Sequence, residues 1–544
     1  MENRVLLAFI LSLFVFFGWG YFLSVVQEPP PGQKNAVAEN GAPSPRATPE
    51  EAQAPGAVQV PSQGEEGEPP APAEVITGSE TVVRVMGNGV EYDISNQGAT
   101  LRKVLLKRYH DDHGETVDLV KHDGKGSWPL AIESSDWETT RLLQKSYYEA
   151  STELLELSPE NPTGTVTMRL NHPSGLEVER TFTFHYDNPL FDVETRISAP
   201  TLAAKNLQYQ VLWGPSMGGR VSSQTDYIVF SGPTAFVNGE RIENDPEDFS
   251  GEVVHTGDLR WTAFQNKYFS VALVPETGVK AGVVKKDGDR VYVGLKMEAV
   301  QSNATLKHLV YAGTKQLQVL EDSGHKLVRL IDYGWFGNKF AFLVKPLLKT
   351  LQYFYGLTQN YGWSIIILTF IIKLLFFPLT HKSFKSMKGM QKIQPYVKVI
   401  QERNKDDRQK MNEELLELYK KHKVNPLGGC LPMLLQVPVF IALYHALFFS
   451  IELKGAPFFG WIQDLSVADP YYVTPILMGA TMFLQQRLTP TVGDPVQQKI
   501  MMFLPIVFTF LFISFPAGLV IYWTVNNLLT IAQQFYIYRV AKDT

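Results

Sequence analysis

Lys373 is the only full charge in the run Trp363 to Thr380 (WSIIILTFIIKLLFFPLT), which is otherwise apolar and long enough to cross a bilayer. An ammonium in hydrocarbon costs at least ~2.5 kcal/mol on insertion scales, so an ionisable residue at that depth marks a functional site by default. Counting ~1.5 Å per residue back from Thr380 places Lys373 roughly 10 Å inside the cytoplasmic end, and snorkelling of its long stem is the competing reading. Thr369 precedes it by one helical turn on the same face, Gln436 is a polar residue inside the next apolar run, and Pro438 frees backbone carbonyls nearby. The last apolar run adds Tyr522, Asn526, Thr530 and Gln533 or Gln534 as one polar stripe, with Trp523 and Asn527 alongside. These residues suit a wet, positively charged cavity that works by hydrogen bonding. The alternative is interhelical glue, worth about 1 kcal/mol per bond.

Covalent chemistry has no candidate residues. There is no H-E-x-x-H, no G-x-S-x-G and no Walker loop, and the scattered His and Ser residues suggest no paired nucleophile and base. Cys430 is the only cysteine, which excludes an intrachain disulfide and any multi-thiolate metal site. The expectation is a protein without catalysis, cofactor, metal or small-molecule substrate.

The elements that must position the polar residues follow from how the 45% hydrophobic content of the 544-residue chain is distributed. Val5 to Val26 is an unbroken apolar stretch with Trp19, Tyr21 and Phe22 near its far end, and no small-x-small cleavage site precedes Gln27, so residues 1–26 read as an uncleaved signal anchor. Residues 27–73 are Pro, Ala, Gly and Glu with almost no large apolar side chain, a disordered tether. From 74 to 334 the pattern becomes short alternating stretches such as TVTMRL (Thr165 to Leu170), RTFTFHY (Arg180 to Tyr186) and RVYVGL (Arg290 to Leu295), separated by turn residues. This predicts a large all-β sandwich outside the cytoplasm. Residues 335–358 read as an amphipathic helix with Phe340, Leu343, Val344, Leu347, Leu351 and Phe354 on one face and a kink expected at Pro346; a helix covering the β domain is the competing reading, and its position immediately before a span favours the membrane surface.

Residues 359–544 hold five apolar segments: Trp363 to Thr380, Cys430 to Phe449, Tyr472 to Gln486, Ile500 to Phe515 and Leu519 to Tyr538. With Val5 to Val26 this predicts six spans, some of them short enough to require a thinned bilayer. The stretch between Thr380 and Cys430 carries twelve Lys and Arg residues, whereas Ile451 to Pro470 carries only Lys454 against Glu452, Asp464 and Asp469. Positive charge stays inside, so 381–429 and both termini are expected in the cytoplasm and the β domain outside. Met387, Met390, Ile393, Val397 and Ile400, then Met411, Leu415 and Leu418, recur at helical spacing around a break at Arg403 to Asp406, which predicts a helical hairpin. Its basic residues Lys385, Lys388, Lys392, Arg403 and Arg408 would engage anionic lipid or ribosomal RNA, or only fix topology and solubility.

Five motifs occur in order: PLT (Pro378 to Thr380), NPLGGCLP (Asn425 to Pro432), DPYYVTPILMGATMF (Asp469 to Phe483), DP-x-QQKIM (Asp494 to Met501) and FPAGLVIYW (Phe515 to Trp523). Together with the layout they resemble the YidC/Oxa/Alb family of membrane insertases, in its Gram-negative form. The resemblance implies a bacterial inner-membrane protein that inserts and helps fold nascent membrane proteins, alone or with the Sec translocon. It implies a β-supersandwich similar to sugar mutarotases, whose edge contacts the Sec accessory complex, and ribosomes as donors of clients. It also implies a five-span core enclosing a hydrophilic groove closed on the outside, with Lys373 where the family most often has arginine. Thr369 and Gln436 align with polar groove residues, Tyr522 and Trp523 with the aromatic pair on the last span, and Met478 with a substrate-contacting span. A transporter would show internal repeats, and none is seen; a scaffold anchored by its spans would leave the polar stripe and the basic hairpin unexplained.

Overall fold

The computed structural model describes residues 58–60, 78–111, 113–218, 229–300, 302–333, 338–404, 407–422, 424, 431–488 and 495–540. The expected signal anchor, both chain termini, most of the tether and most of the NPLGGCLP motif lie outside the described residues.

Strands dominate from Val82 to Thr314 and, with the short strand Val58–Val60 at the edge of the first, form sheets of six, ten and five strands. Alternation explains them: in Glu177–His185, Val178, Arg180, Phe182 and Phe184 point inward while the residues between them face outward. The largest sheet pairs this strand with Asn188–Ser198 and that strand with Asn303–Thr314, all antiparallel, with Thr195 opposite both Arg180 and Leu306. Phe184 and Phe191 of this sheet pack against each other and against Tyr92 of the five-stranded sheet, with ring centroids 4.8–5.3 Å apart. Arg180 is fully buried there with no carboxylate partner among the described residues; its Nη1 donates to the carbonyls of Ala99 (2.7 Å) and Leu130 (2.8 Å), two residues held at positive φ.

Among the described residues the α-helices are α1 (Trp137–Lys145), α2 (Leu317–Asp322), α3 (Ala341–Thr358), α4 (Tyr361–Arg403), α5 (Arg408–Lys421), α6 (Leu431–Phe448), α7 (Val473–Leu488), α8 (Pro495–Phe512) and α9 (Ala517–Val540). Pro346 sits inside α3 without ending it. Val344, Leu348 and Leu351 are buried, while Phe342, Tyr353 and Leu357 are exposed, so α3 is apolar on more than the one face expected.

The span bearing Lys373 and the first hairpin helix, read from sequence as separate elements, form the single 43-residue helix α4. Asn360 caps its start by accepting from Trp363 N at 3.2 Å, and Asp407 caps α5 in the same way. Met390, Ile393 and Val397 of α4 pack against Leu415, Leu418 and Tyr419 of α5. Asn404 ties the turn by donating to Ile400 O and to Glu414 (2.9 Å).

Among the described residues α4 alone is both long and apolar enough to cross a bilayer; Gln436–Phe448 and Met502–Phe512 are shorter apolar stretches. Large apolar side chains stand exposed on the helices, among them Leu375, Ile476, Phe503 and Phe510. The sandwich seats on the helices through a continuous contact. Ile451, just past α6, is buried in the sandwich's own core. Lys267 Nζ lies 3.9 Å from the Phe448 ring centroid, Tyr333 meets Phe449 edge-on, and Lys345 pairs with Glu321 at 2.6 Å.

Candidate functional site

α9 is the hub of the helical unit, contacting α4, α6 and α7. Its polar residues recur every three or four positions, so one stripe faces α4 and α6 while Asn527 faces α7. Thr530 accepts from Lys373 Nζ at 2.8 Å and donates its own hydrogen to Asn526 O at 2.7 Å. One turn away, Gln436 Nε2 on α6 donates to Asn526 Oδ1 at 2.8 Å. Gln533 Nε2 donates to Thr380 Oγ1 on α4 at the opposite end of the stripe. Three helices distant in sequence thus meet along one polar seam.

Exposure divides this seam. Thr530, Gln533 and Thr369 are buried, whereas Lys373, Gln436, Asn526 and Trp523 are partly exposed and form its accessible rim. Thr369 sits one turn before Lys373 and returns its hydroxyl to Ile365 O at 2.6 Å, which satisfies a buried polar atom without a partner on another helix. Trp523 stands in an aromatic cluster, 4.7 Å from Phe440 and 5.1 Å from Phe512, with Tyr522 buried beside it. Met478 is fully buried in the same helical core, so contact with any other molecule requires α7 to move.

Sequence reasoning missed Thr380 and Thr481. Thr380 joins α4 to α9 through Gln533, and Thr481 accepts from Asn527 Nδ2 at 3.3 Å, joining α7 to the other side of α9. A threonine at the end or middle of an apolar run is the signal that was available, and it is weak because threonine also satisfies itself on its own helix. On the hairpin, Lys385, Lys392 and Arg403 are exposed and Lys388 is partly so; the side chain of Arg408 lies outside the described residues. The seam holds hydrogen-bond donors and acceptors and one cation within an apolar helical unit. It can lower the cost of placing polar groups there, which is several kcal/mol for an unpaired amide or hydroxyl.

The 60Kd inner membrane protein family matches residues 353–544, and the YidC periplasmic domain family matches residues 82–350. A curated relative from Geobacter sp. (strain M21), named membrane protein insertase YidC, is 42% identical over 81% of this chain and 83% of its own. A second of that name, from Geobacter metallireducens, is 38% identical over 99% of this chain and 98% of its own. A solved structure of an active YidC insertase with its first transmembrane domain resolved is 20% identical, covering 85% of this chain and 93% of its own at a TM-score of 0.35. With relatives of that identity aligned along nearly the whole chain, this protein belongs to the YidC family of membrane protein insertases.

Proposed function

We propose that this insertase moves the hydrophilic end of a nascent membrane protein along the seam formed by α4, α6 and α9. The observation that carries the reading is the contact of Lys373 with Thr530 at 2.8 Å beside the Gln436–Asn526 pair, a half-exposed line of polar groups among apolar helices. Such a line replaces part of the water lost by a crossing tail, and short helices such as α7 shorten the hydrocarbon path. The cation favours acidic tails. The client's apolar span then partitions into lipid along the outward apolar surface. The protein is an insertase and not an enzyme: no bond is made or broken.

The residues lining this path in our reading are Lys373, Thr369, Gln436, Tyr522, Trp523, Asn526 and Thr530, with Met478 joining only once α7 parts from α9. The protein lies in the bacterial inner membrane with a periplasmic domain. We read six spans, both termini in the cytoplasm, the sandwich in the periplasm, and the α4–α5 hairpin in the cytoplasm, where Lys385, Lys388, Lys392, Arg403 and Arg408 meet the ribosome or anionic lipid. The concentration of basic residues in 381–429 supports that orientation. Nascent membrane proteins are the substrates; the Sec translocon and its accessory complex are proposed as partners of the periplasmic side. A photocrosslinker at Gln436 or Trp523 should capture a ribosome-tethered client, while one at Met478 should capture less. Absence of adducts at both rim positions would overturn the reading.

A further inference from the structure

The loop between α6 and α7 is a compact cap over the starts of α4 and α9. Phe458 N donates to Ile462 O and Leu465 N to Ala456 O, both at 3.0 Å, and Asn360 Nδ2 holds Phe458 O at 3.0 Å. The first amides of α9, which have no partner within their own helix, are satisfied by this loop: Ala517 N donates to Val467 O (2.7 Å) and Gly518 N to Leu465 O (3.0 Å). Ile462 and Leu465 are buried beneath it. Its outer surface is different: Phe459 is 75% exposed, Tyr471 67%, Tyr472 50% and Trp461 41%.

We infer that these four rings form a docking surface for the phospholipid headgroup layer, and that Asp469 is the latch that holds them there. Three observations support this. No charged residue occurs in Ala456 to Gln463 or in Pro470 to Gln486, and of the two aspartates between these stretches Asp469 is buried and Asp464 is partly exposed. Trp461, Tyr471 and Tyr472 carry a polar edge, and such side chains favour the membrane interface, while Phe459 adds apolar area beside them. Past Tyr472 the chain runs into α7, where Ile476, Leu477 and Leu484 are also exposed, the flank that faces lipid in the function proposed above.

Asp469 is itself 1% exposed, and its carboxylate accepts from Trp461 Nε1 (2.9 Å), Tyr471 N (3.0 Å) and Thr474 N (2.7 Å). One buried carboxylate therefore fixes Trp461, the backbone of Tyr471 and the first turn of α7 together. Tyr472 N bonds back to Asp469 O at 3.1 Å, with Tyr472 at φ +58°, which turns the chain so that both tyrosines face outward.

The inference rests on the membrane placement of the helices, and the test separates the two. In the full chain with Cys430→Ser, nitroxides placed at Phe459→Cys, Leu375→Cys on α4 and Leu416→Cys on the hairpin are compared in phosphatidylcholine–phosphatidylglycerol vesicles by collision with oxygen and a nickel complex. The label at 459 should show nickel accessibility at least about threefold below that at 416, with oxygen accessibility between those at 416 and 375. A label at 375 as nickel-accessible as at 416 overturns the membrane placement. A lipid-like 375 with 459 matching 416 overturns the docking surface alone. Asp469→Asn should raise nickel accessibility at 459 about twofold while leaving 375 unchanged, since an amide oxygen replaces two acceptors with one. No change at 459 overturns the latch. Should Asp469→Asn not fold, Trp461→Phe removes one donor and keeps the ring, with the same rise expected at 459.

Discussion

Lys373 and Thr530, 157 residues apart in the chain, meet at 2.8 Å, and the same threonine donates onward to the Asn526 carbonyl. The lysine is therefore held toward α9 and does not reach along its own helix, as snorkelling requires. Because Asn526 also accepts from Gln436, the cation, the threonine and two amides form one connected line across α4, α9 and α6.

That line predicts coupling between Gln436 and Asn526. Gln436→Leu and Asn526→Leu should each lower the thermal stability of the purified protein, and the double variant should lose less than the sum. The interaction energy of the cycle is expected at about 0.6–1.7 kcal/mol, as for hydrogen bonds between other membrane helices. Strict additivity would show that the two amides do not share a bond.

Gly479 predicts a steric effect on the far side of the helical unit. A Cβ there would come within 1.9 Å of Thr509 Oγ1, which is itself held by Pro505 O. Gly479→Ala should therefore cost about 1–3 kcal/mol by forcing α7 from α8. Thr509→Ala in the same chain should recover most of that loss in thermal unfolding; a harmless Gly479→Ala, or no recovery, would contradict the packing described.

Lys315 predicts a pH dependence of the sandwich where it meets the helices. Burial lowers its pKa from 10.5 to about 7, with Arg241 adding to the effect and Asp332 and Glu243 opposing it; its Nζ donates to Gln265 Oε1 and Asn266 O. Between about pH 7 and 10.5 the unfolded chain keeps this proton and the folded one does not. Stability from this group thus rises with pH across that window, by at most about 1.4 kcal/mol per unit. Melting curves of the native protein and Lys315→Met should converge or cross as pH increases from 7 to 9.5, and parallel curves would remove the buried lysine from the account.

The strands were legible because their alternation is written in residues such as Val178, Phe182 and Phe184, but Arg180 occupies the same inward face and only tertiary context shows it bonding Ala99 and Leu130. Likewise the face of α9 was legible from the spacing of Asn526 and Thr530. Which helix each residue meets was not, since periodicity gives a direction and no partner. The unity of α4 escaped because Pro378 and the basic residues after Thr380 read as a boundary, whereas both Pro378 and Pro395 lie inside one helix. Trp461 and Asp469 lie in a loop, where no period links a ring to the carboxylate that holds it.

In the function proposed above the charge at Lys373 is central, and a seam of that kind would require a cation more than a particular geometry. The direct measurement is insertion of a single-span client with a short acidic tail into vesicles containing the native protein, Lys373→Arg or Lys373→Glu. The arginine variant should insert at close to the native efficiency, and the glutamate variant should lose about tenfold, equivalent to 1.4 kcal/mol in the crossing step. Native efficiency with glutamate, or an equally severe loss with arginine, would contradict a seam that works through its positive charge.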